Sequence, residues 1–299
     1  MPVHDDLGTR MKTFYEQIPK TKLMRRTPVI IRIDGKAFHT FTRGFNRPFD
    51  EVLIKTMQET TKYLCENIQG CVLGYTQSDE ITLVLVDYQR FETSAWFDYE
   101  VMKMCSIAAS MATMAFNKIF LDNIDLAYNN EFHQLGLGRM NNLEDAQEYD
   151  RLYSYLEQKY DVYYKKTNSA MFDARVFNIP KEEVTNNFYW RQLDATRNSI
   201  QMVGQANFSH NELEHKTCNM IQDMLMTQKG INWNDFPTYL KRGSCCIKMY
   251  QVDEGSWSSH AEDKLMPNGR TRWDIDTEIP IFKGEGREYI ERLINVGER

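Results

Sequence analysis

The chain has 299 residues, 42% of them hydrophobic and 26% charged, enough to build one large domain or a core with an appendage. Its formal net charge of −6 excludes a protein whose whole surface is basic for nucleic-acid binding, while leaving room for a local basic patch. The opening MPVHDDLGTRMKTFYEQ is polar and mixed in charge and lacks the apolar stretch of a signal peptide. Residues 27–33 (TPVIIRI), rich in β-branched side chains and opened by Pro28, predict a buried strand. A loop containing Gly35 and Gly44 follows. Asp50 is placed to cap a helix running to about Asn67, with Leu53, Met57, Tyr63 and Leu64 on its apolar stripe.

Residues 71–75 and 81–86 are short apolar runs on either side of the polar step Gln77-Ser78-Asp79-Glu80, the pattern of a β-hairpin. Residues 102–120, rich in Met and Ala with few charges, predict a buried helix in which methionine fills the core. From about 122 to 168 the composition shifts to Asn, Asp and Tyr. An amphipathic piece marked by Tyr149, Leu152, Tyr153, Leu156 and Tyr160 predicts one helix within this insertion. Residues 174–179 predict a strand stopped by Pro180, and helices are expected near 181–203 and 209–228. The order strand, helix, hairpin, helix, insertion, strand, helix predicts an α+β fold, one sheet backed by helices. We expect a catalytic domain over 1–205, with the insertion at 122–168, and a C-terminal region over 206–299, helical and then irregular. The longest apolar runs are strand-sized, so no membrane span is predicted. Cys65, Cys71, Cys105, Cys218, Cys245 and Cys246 form no Cys-x-x-Cys pair and predict reduced, mostly buried thiols in a cytoplasmic protein.

Two polar steps carry the chemistry. In Arg32-Ile33-Asp34-Gly35-Lys36-Ala37-Phe38-His39 an acid closes a buried strand and a glycine follows. The chain then turns, and its backbone N–H groups can face one way, a concavity that suits a phosphate. Asp34 is placed to hold Mg²⁺, which takes few protein oxygens and completes its shell with water and substrate phosphates. The second step is Ser78-Asp79-Glu80. A hairpin laid beside the first strand brings Asp79 close to Asp34, and two facing carboxylates are costly unless neutralised. A pair of Mg²⁺ ions neutralises them, polarises a phosphoryl centre and activates an attacking hydroxyl. Alone, an Asp-Gly after a strand is usually only a turn, and an Asp-Glu in a hairpin usually a solvated edge. Their order, with one helix between, is that of palm-type polymerases and nucleotide cyclases.

Further motifs extend this pattern. Tyr75-Thr76-Gln77-Ser78-Asp79-Glu80 is followed by Phe172-Asp173-Ala174-Arg175-Val176 and Trp190-Arg191-Gln192-Leu193-Asp194. Ile231-Asn232-Trp233-Asn234-Asp235 and Lys241-Arg242-Gly243 continue it more weakly. On these residues the chain resembles the tRNA(His) guanylyltransferase family, including its Thg1-like branch of 3′–5′ polymerases, over most of residues 25–250. The resemblance implies a palm-like catalytic domain with a mostly helical C-terminal extension. It implies two Mg²⁺ ions held by Asp34, the Gly35 carbonyl and Asp79, with Glu80 as a supporting catalytic carboxylate. A nucleoside triphosphate, GTP or ATP, would be cradled by Gly35, Lys36, Ala37, Phe38 and His39, with Ser78 and Asn198 near it. Arg47 and Asp50 fall where the family brings a basic residue to the triphosphate. The implied activity adds nucleotides to the 5′ end of a tRNA by two phosphoryl transfers, in which catalysis is mainly positioning and charge stabilisation. A homotetramer built as a dimer of dimers is implied as well.

The sequence departs from the family pattern in three places. Ala174 and Thr76 stand where the family has glycine, which puts the local backbone in question. Thr196-Arg197-Asn198-Ser199 replaces a His-Ile-Asn-Asn stretch that accompanies guanosine addition to tRNA(His), and this erosion favours the branch that repairs truncated tRNA 5′ ends by templated pairing. For Arg175 and Arg191, internal pairing with Asp173 or Asp194 stands level with phosphate or tRNA contact. A solvated face is the default for Lys165-Lys166 and Lys241-Arg242. His210 and His215 have a poor zinc spacing and are assigned no metal. Two alternatives stay open: an RNA-binding relic of weak activity, and a palm-fold cyclase, for which no Gly-Gly-Asp-Glu-Phe-like loop is present.

Overall fold

The computed structural model describes residues 6–137, 146–259 and 269–295. Seven antiparallel strands form one sheet: β1 Val29–Gly35, β2 Cys71–Gln77, β3 Glu80–Leu85, β4 Phe172–Asn178, β5 Ser244–Gln251, β6 Trp257–Ser258 and β7 Thr271–Asp276. Their spatial order is β4-β1-β3-β2-β5-β6, with β7 also paired to β5. The helices are α1 Asp6–Met11, α2 Phe38–Phe41, α3 Glu51–Asn67, α4 Val101–Gln134, α5 Ala146–Tyr164, α6 Lys181–Asn207, α7 His210–Leu213, α8 Cys218–Met224, α9 Thr238–Arg242 and α10 Glu288–Ile294.

The TPVIIRI run has no polar alternation because β1 is covered on both faces. Ile31 and Ile33 pack with Leu83, Leu64, Phe116 and Phe120 in one core, while Ile30 packs with Leu73, Val84, Phe188 and Phe282 in the other. The sheet is therefore sandwiched, with α3 and α4 on one side and α6 and α10 on the other. This is the expected α+β, palm-like arrangement, with helices on both faces.

The early elements lie where the sequence predicts them. Asp50 caps α3, accepting from the Leu53 N–H at 2.9 Å. The two departures from glycine are both harmless to the backbone. Ala174 pairs with Ile33 in regular register, and Thr76 pairs with Ile81 and Ser244 inside β2. Neither residue has positive φ.

Three differences stand out. Helix α4 does not stop near residue 120 but continues to Gln134, because Ile124 is fully buried and Ala127 and Tyr128 pack beside it. The 122–168 stretch thus holds two packed helices within its described residues, since Leu156, Tyr160 and Tyr163 of α5 join the same core. Residues 138–145 of that stretch lie outside the described residues. Beyond residue 228, where no strand is predicted, β5 pairs with β2 and carries β6 and β7, so the C-terminal chain extends the sheet. Finally, α4 is long and apolar enough to cross a bilayer by length and composition, although no apolar run in the sequence suggests it. Here one of its faces lies in the core through Met104, Ala108, Phe116 and Phe120.

Candidate active site

The first motif closes β1 and turns at once into α2. Ala37, just before α2, has φ 54° and ψ 39°, in the left-handed region that few non-glycine residues adopt. Gly35 has no room for a side chain, since a Cβ there would stand 2.3 Å from Cδ2 of Phe38. Phe38 is buried in a ring cluster, its centroid 4.8–5.5 Å from those of Phe41, Phe116 and Phe172. The aromatic side chain of the motif is thus an anchor beneath the turn. The anchored turn presents the N–H groups of Ala37, Phe38 and His39, which meet no acceptor among the described residues.

The second motif is brought against the first by strand pairing. Asp34 stands opposite Glu80 in the β1–β3 register, and the Gly35 N–H donates to the Asp79 carbonyl at 3.0 Å. The Ser78 hydroxyl donates to Asp79 Oδ1 at 3.0 Å. Burial pushes the Asp79 carboxyl above the ordinary range; the Ser78 hydrogen bond opposes this, the Asp34 charge adds to it, and His39 pulls it back.

Glu80 is different. Arg32 Nη2 donates to its Oε2 at 2.6 Å, and Arg191 Nε lies 2.8 Å from its Oε1. Burial pushes its carboxyl up, and Arg191 and Arg32 oppose that. Both oxygens are engaged by guanidinium groups, so this geometry makes Glu80 a buried anchor between β3, β1 and α6. Asp34 and Asp79, by contrast, form no ion pair among the described residues. A half-buried carboxylate beside another carboxylate, neither compensated by a protein cation, fits a hard divalent cation. No cluster of three His, Cys, Asp or Glu side chains that could hold a metal forms among the described residues. Remaining ligands would therefore have to be backbone oxygen, substrate phosphate and water, the set Mg²⁺ prefers.

A cavity of about 620 Å³ opens beside this step, within the size range of small-molecule sites. Gly35, Ala37, Phe38, His39, Arg47, Asp50, Ser78, Asp79 and Asn198, all candidates from the sequence, line it. Asp34 and Glu80 lie outside its wall, as does Lys36, whose N–H donates to the Met171 carbonyl at 2.8 Å. Asp50 lines the cavity but is fully committed: Oδ1 caps α3, while Oδ2 accepts from the Asn46 N–H at 3.0 Å and the Tyr163 hydroxyl at 2.5 Å. These bonds make Asp50 a brace of the cavity wall.

The sequence reading did not single out Arg43, Met202 or Tyr239, which also line the cavity. Arg43 could have been suspected, because the 40–47 loop carries Arg43 and Arg47 without an acid among them. Neither arginine has an ion-pair partner among the described residues. Gly243, at φ 82°, brings the end of α9 onto β2 beside the cavity, where a Cβ would stand 2.5 Å from the Thr76 carbonyl oxygen. Of the remaining candidates, Arg175 approaches Asp173 at 3.8 Å and Arg191 is bonded to Asp194. Lys165 pairs with Asp161, and Lys241 donates to the Asn234 carbonyl.

Known proteins bear on this site. Residues 8–180 match the family model "Thg1: tRNAHis guanylyltransferase". A solved structure titled as a bacterial tRNA(His) guanylyltransferase (Thg1)-like protein in complex with ATP superposes with a TM-score of 0.72 at 38% identity, covering 97% of this chain and 99% of that one. A second, titled as in complex with GTP, gives 0.68 at 35% identity, covering 97% and 100%. The tRNA(His) guanylyltransferase of Debaryomyces hansenii is 25% identical over 85% of this chain and 86% of its own length. An uncharacterized protein of Acanthamoeba polyphaga mimivirus is 26% identical over 81% of this chain and 76% of its own. The cavity between the two motifs, the sheet that joins them and these likenesses agree: the chain belongs to the Thg1 family, the tRNA(His) guanylyltransferases, and is a nucleotidyltransferase.

Proposed function

We propose that this enzyme extends the 5′ end of a tRNA in the 3′–5′ direction, using GTP, ATP or another nucleoside triphosphate, chiefly to repair truncated 5′ ends by templated pairing. The observation that carries the reading is the docking of the Asp79 step on the end of β1, through the Gly35 N–H and the Asp79 carbonyl, beside a cavity lined by the uncompensated cations Arg43 and Arg47. Relatives of similar length, solved in complex with ATP and with GTP, support a nucleoside triphosphate as the ligand.

Asp34, Asp79 and the Gly35 carbonyl would hold two Mg²⁺ ions, which when bound supply charge neutralisation and activation of the attacking hydroxyl. The chain's own residues do the positioning. The Ala37–His39 amides face the phosphates, and Arg43 and Arg47, which line the same cavity, neutralise the triphosphate. Asn198 reaches the nucleotide from α6. Chemistry then needs two transfers. An oxygen of the RNA 5′-monophosphate attacks the α-phosphorus of a nucleoside triphosphate and releases pyrophosphate; the 3′-hydroxyl of the incoming nucleotide then loses its proton, attacks the RNA 5′ phosphorus and expels the nucleoside monophosphate.

Templated repair is favoured over single guanosine addition to tRNA(His) by the eroded Thr196–Ser199 stretch. Ser199 there is buried and accepts from the Trp233 indole N–H at 3.0 Å, so it supports the wall rather than reading a base. A homotetramer is the assembly we propose, and the six free thiols favour a cytoplasmic site of action.

The test supplies Mg²⁺, nucleoside triphosphates and two 5′-monophosphorylated substrates, a tRNA lacking its first nucleotide and a full-length tRNA(His) lacking the extra guanosine. Single-nucleotide gel shifts read the products. Template-dependent extension of the truncated tRNA is expected. Addition of one guanosine to tRNA(His) alone would reverse the choice of branch, and no addition to either would leave the RNA-binding relic.

A further inference from the structure

Trp190 is 53% exposed, on a helix otherwise anchored into the core through Phe188, Arg191 and Gln192. Its indole is not loosely held. The Arg191 guanidinium carbon lies 4.2 Å from the ring centroid and that of Arg32 lies 5.7 Å away. Both guanidiniums are fixed in turn by the buried Glu80, and Arg191 also by Asp194. The ring therefore rests on a rigid cationic bed with part of its surface open to solvent.

Its location matters as much as its rigidity. Arg32 and Asp34 alternate with buried Ile31 and Ile33 on β1, so they share the sheet face that carries α6. A strand rises about 3.3 Å per residue, which sets Asp34 roughly 7 Å along from Arg32. Beside them β4 is the edge strand, where Arg175 stands opposite Arg32 with its side chain 64% exposed. Arg197, 60% exposed, follows Trp190 two turns along α6. Arg175 and Arg197 each face one acid, Asp173 and Asp194. The Arg175–Asp173 pair is exposed on both sides and weak, so a phosphate can take over its guanidinium; Arg197 shares the mostly buried Asp194 with Arg191 and keeps its own outer side open to a phosphate. Trp190 does not line the nucleotide cavity.

We propose that Trp190 is a stacking platform for the base of the 5′-terminal nucleotide of the RNA acceptor, with Arg175 and Arg197 contacting its phosphates. The proposal rests on the reading of the enzyme as a 5′-end extender. A rigid aromatic ring outside the triphosphate cavity, next to the carboxylates that the 5′ phosphate must approach, is what a single-stranded or terminal base needs for docking.

The experiment compares wild type, Trp190→Ala and Trp190→Phe on a truncated tRNA and on the same RNA made abasic at its 5′-terminal nucleotide. Dissociation constants of the RNA are measured alongside KM for RNA and KM for nucleoside triphosphate. Stacking on a protein ring contributes enough that Trp190→Ala should weaken RNA binding roughly 5- to 150-fold. KM for the triphosphate should not change, and Trp190→Phe should stay near wild type. The abasic RNA should lose a similar factor with wild type and nothing further with Trp190→Ala. Independent, multiplicative losses would overturn the proposal, as would a rise confined to KM for the triphosphate, which would make Trp190 a site for the incoming base. Should Trp190→Ala not fold, wild type and Trp190→Phe against the two RNAs decide alone. If wild type extends no RNA, the functional reading fails, while the two binding comparisons still test the platform.

Discussion

Asp79 and Glu80 are adjacent, both acidic, and held in opposite ways. Glu80 is matched to Arg32 and Arg191, whereas Asp79 faces only Ser78, His39 and another carboxylate. Neutralising each should therefore have opposite consequences. Glu80→Gln takes the buried counter-charge from Arg32 and leaves Arg191 with Asp194 alone, and should cost about 3 kcal/mol of stability. Asp79→Asn removes an uncompensated carboxylate, so stability of the metal-free protein should hold or rise while nucleotide addition is abolished; Asp34→Asn should behave likewise. Urea melts of the three variants beside the addition assay check this, and an equal stability loss at Asp79 and Glu80 would defeat the distinction. The acids themselves were legible in the sequence because each closes a recognisable step. The partner that turns Glu80 into an anchor was not, since Arg191 lies far along the chain on α6 and its own neighbour Asp194 offered an equally good local pairing.

Secondary-structure elements were legible in proportion to how local their signals are. The β1 run, the Asp50 cap and the hairpin around Ser78 announce themselves within a few residues. The second half of α4 does not, because its hold comes from partners distant in sequence: Asn123 is buried and bonds Glu59 of α3, while Asp125 and Glu131 accept from Tyr164 and Tyr160 of α5. Strand β5 is fixed along most of its length by β2 and β7, which lie outside its local sequence, and only its last residues pair nearby with β6. The α4–α5 pair is more than decoration. Through Tyr163 it secures Asp50, which caps α3 and closes the loop carrying Arg43 and Arg47. Removing that hydroxyl by Tyr163→Phe should cost about 1 kcal/mol, the net value of a buried hydrogen bond. Asp50→Ala, which also strips the cap, should cost more, about 2 kcal/mol or above. If Asp50 only braces the wall, KM for the triphosphate should change little in Tyr163→Phe. A large KM rise at full stability would instead make Asp50 a direct contact. At the β1–α2 turn, Gly35→Ala should fail on both counts, since its Cβ would enter the Phe38 ring.

At the scale of the whole molecule, α4 joins the site to the outside. Its inner face holds Phe116 and Phe120 in the ring cluster beneath the nucleotide turn. Its outer face exposes Met102, Ile107, Met114 and Leu121, with the last three repeating every second turn on one side of the helix. In the tetramer we propose, another copy of the chain would cover this stripe. A charge placed in the middle of such an interface is costly, because it is either buried unpaired or holds the subunits apart. Met114→Glu and Leu121→Glu should therefore yield smaller assemblies by light scattering, with the monomer fold intact by circular dichroism. Since the ring cluster lies on the opposite side of the same helix, the dissociated variants should keep their affinity for a nucleoside triphosphate. Loss of activity without loss of triphosphate binding would then mean that the RNA, unlike the nucleotide, is held by more than one subunit. An unchanged mass in both variants would take the α4 stripe out of the assembly.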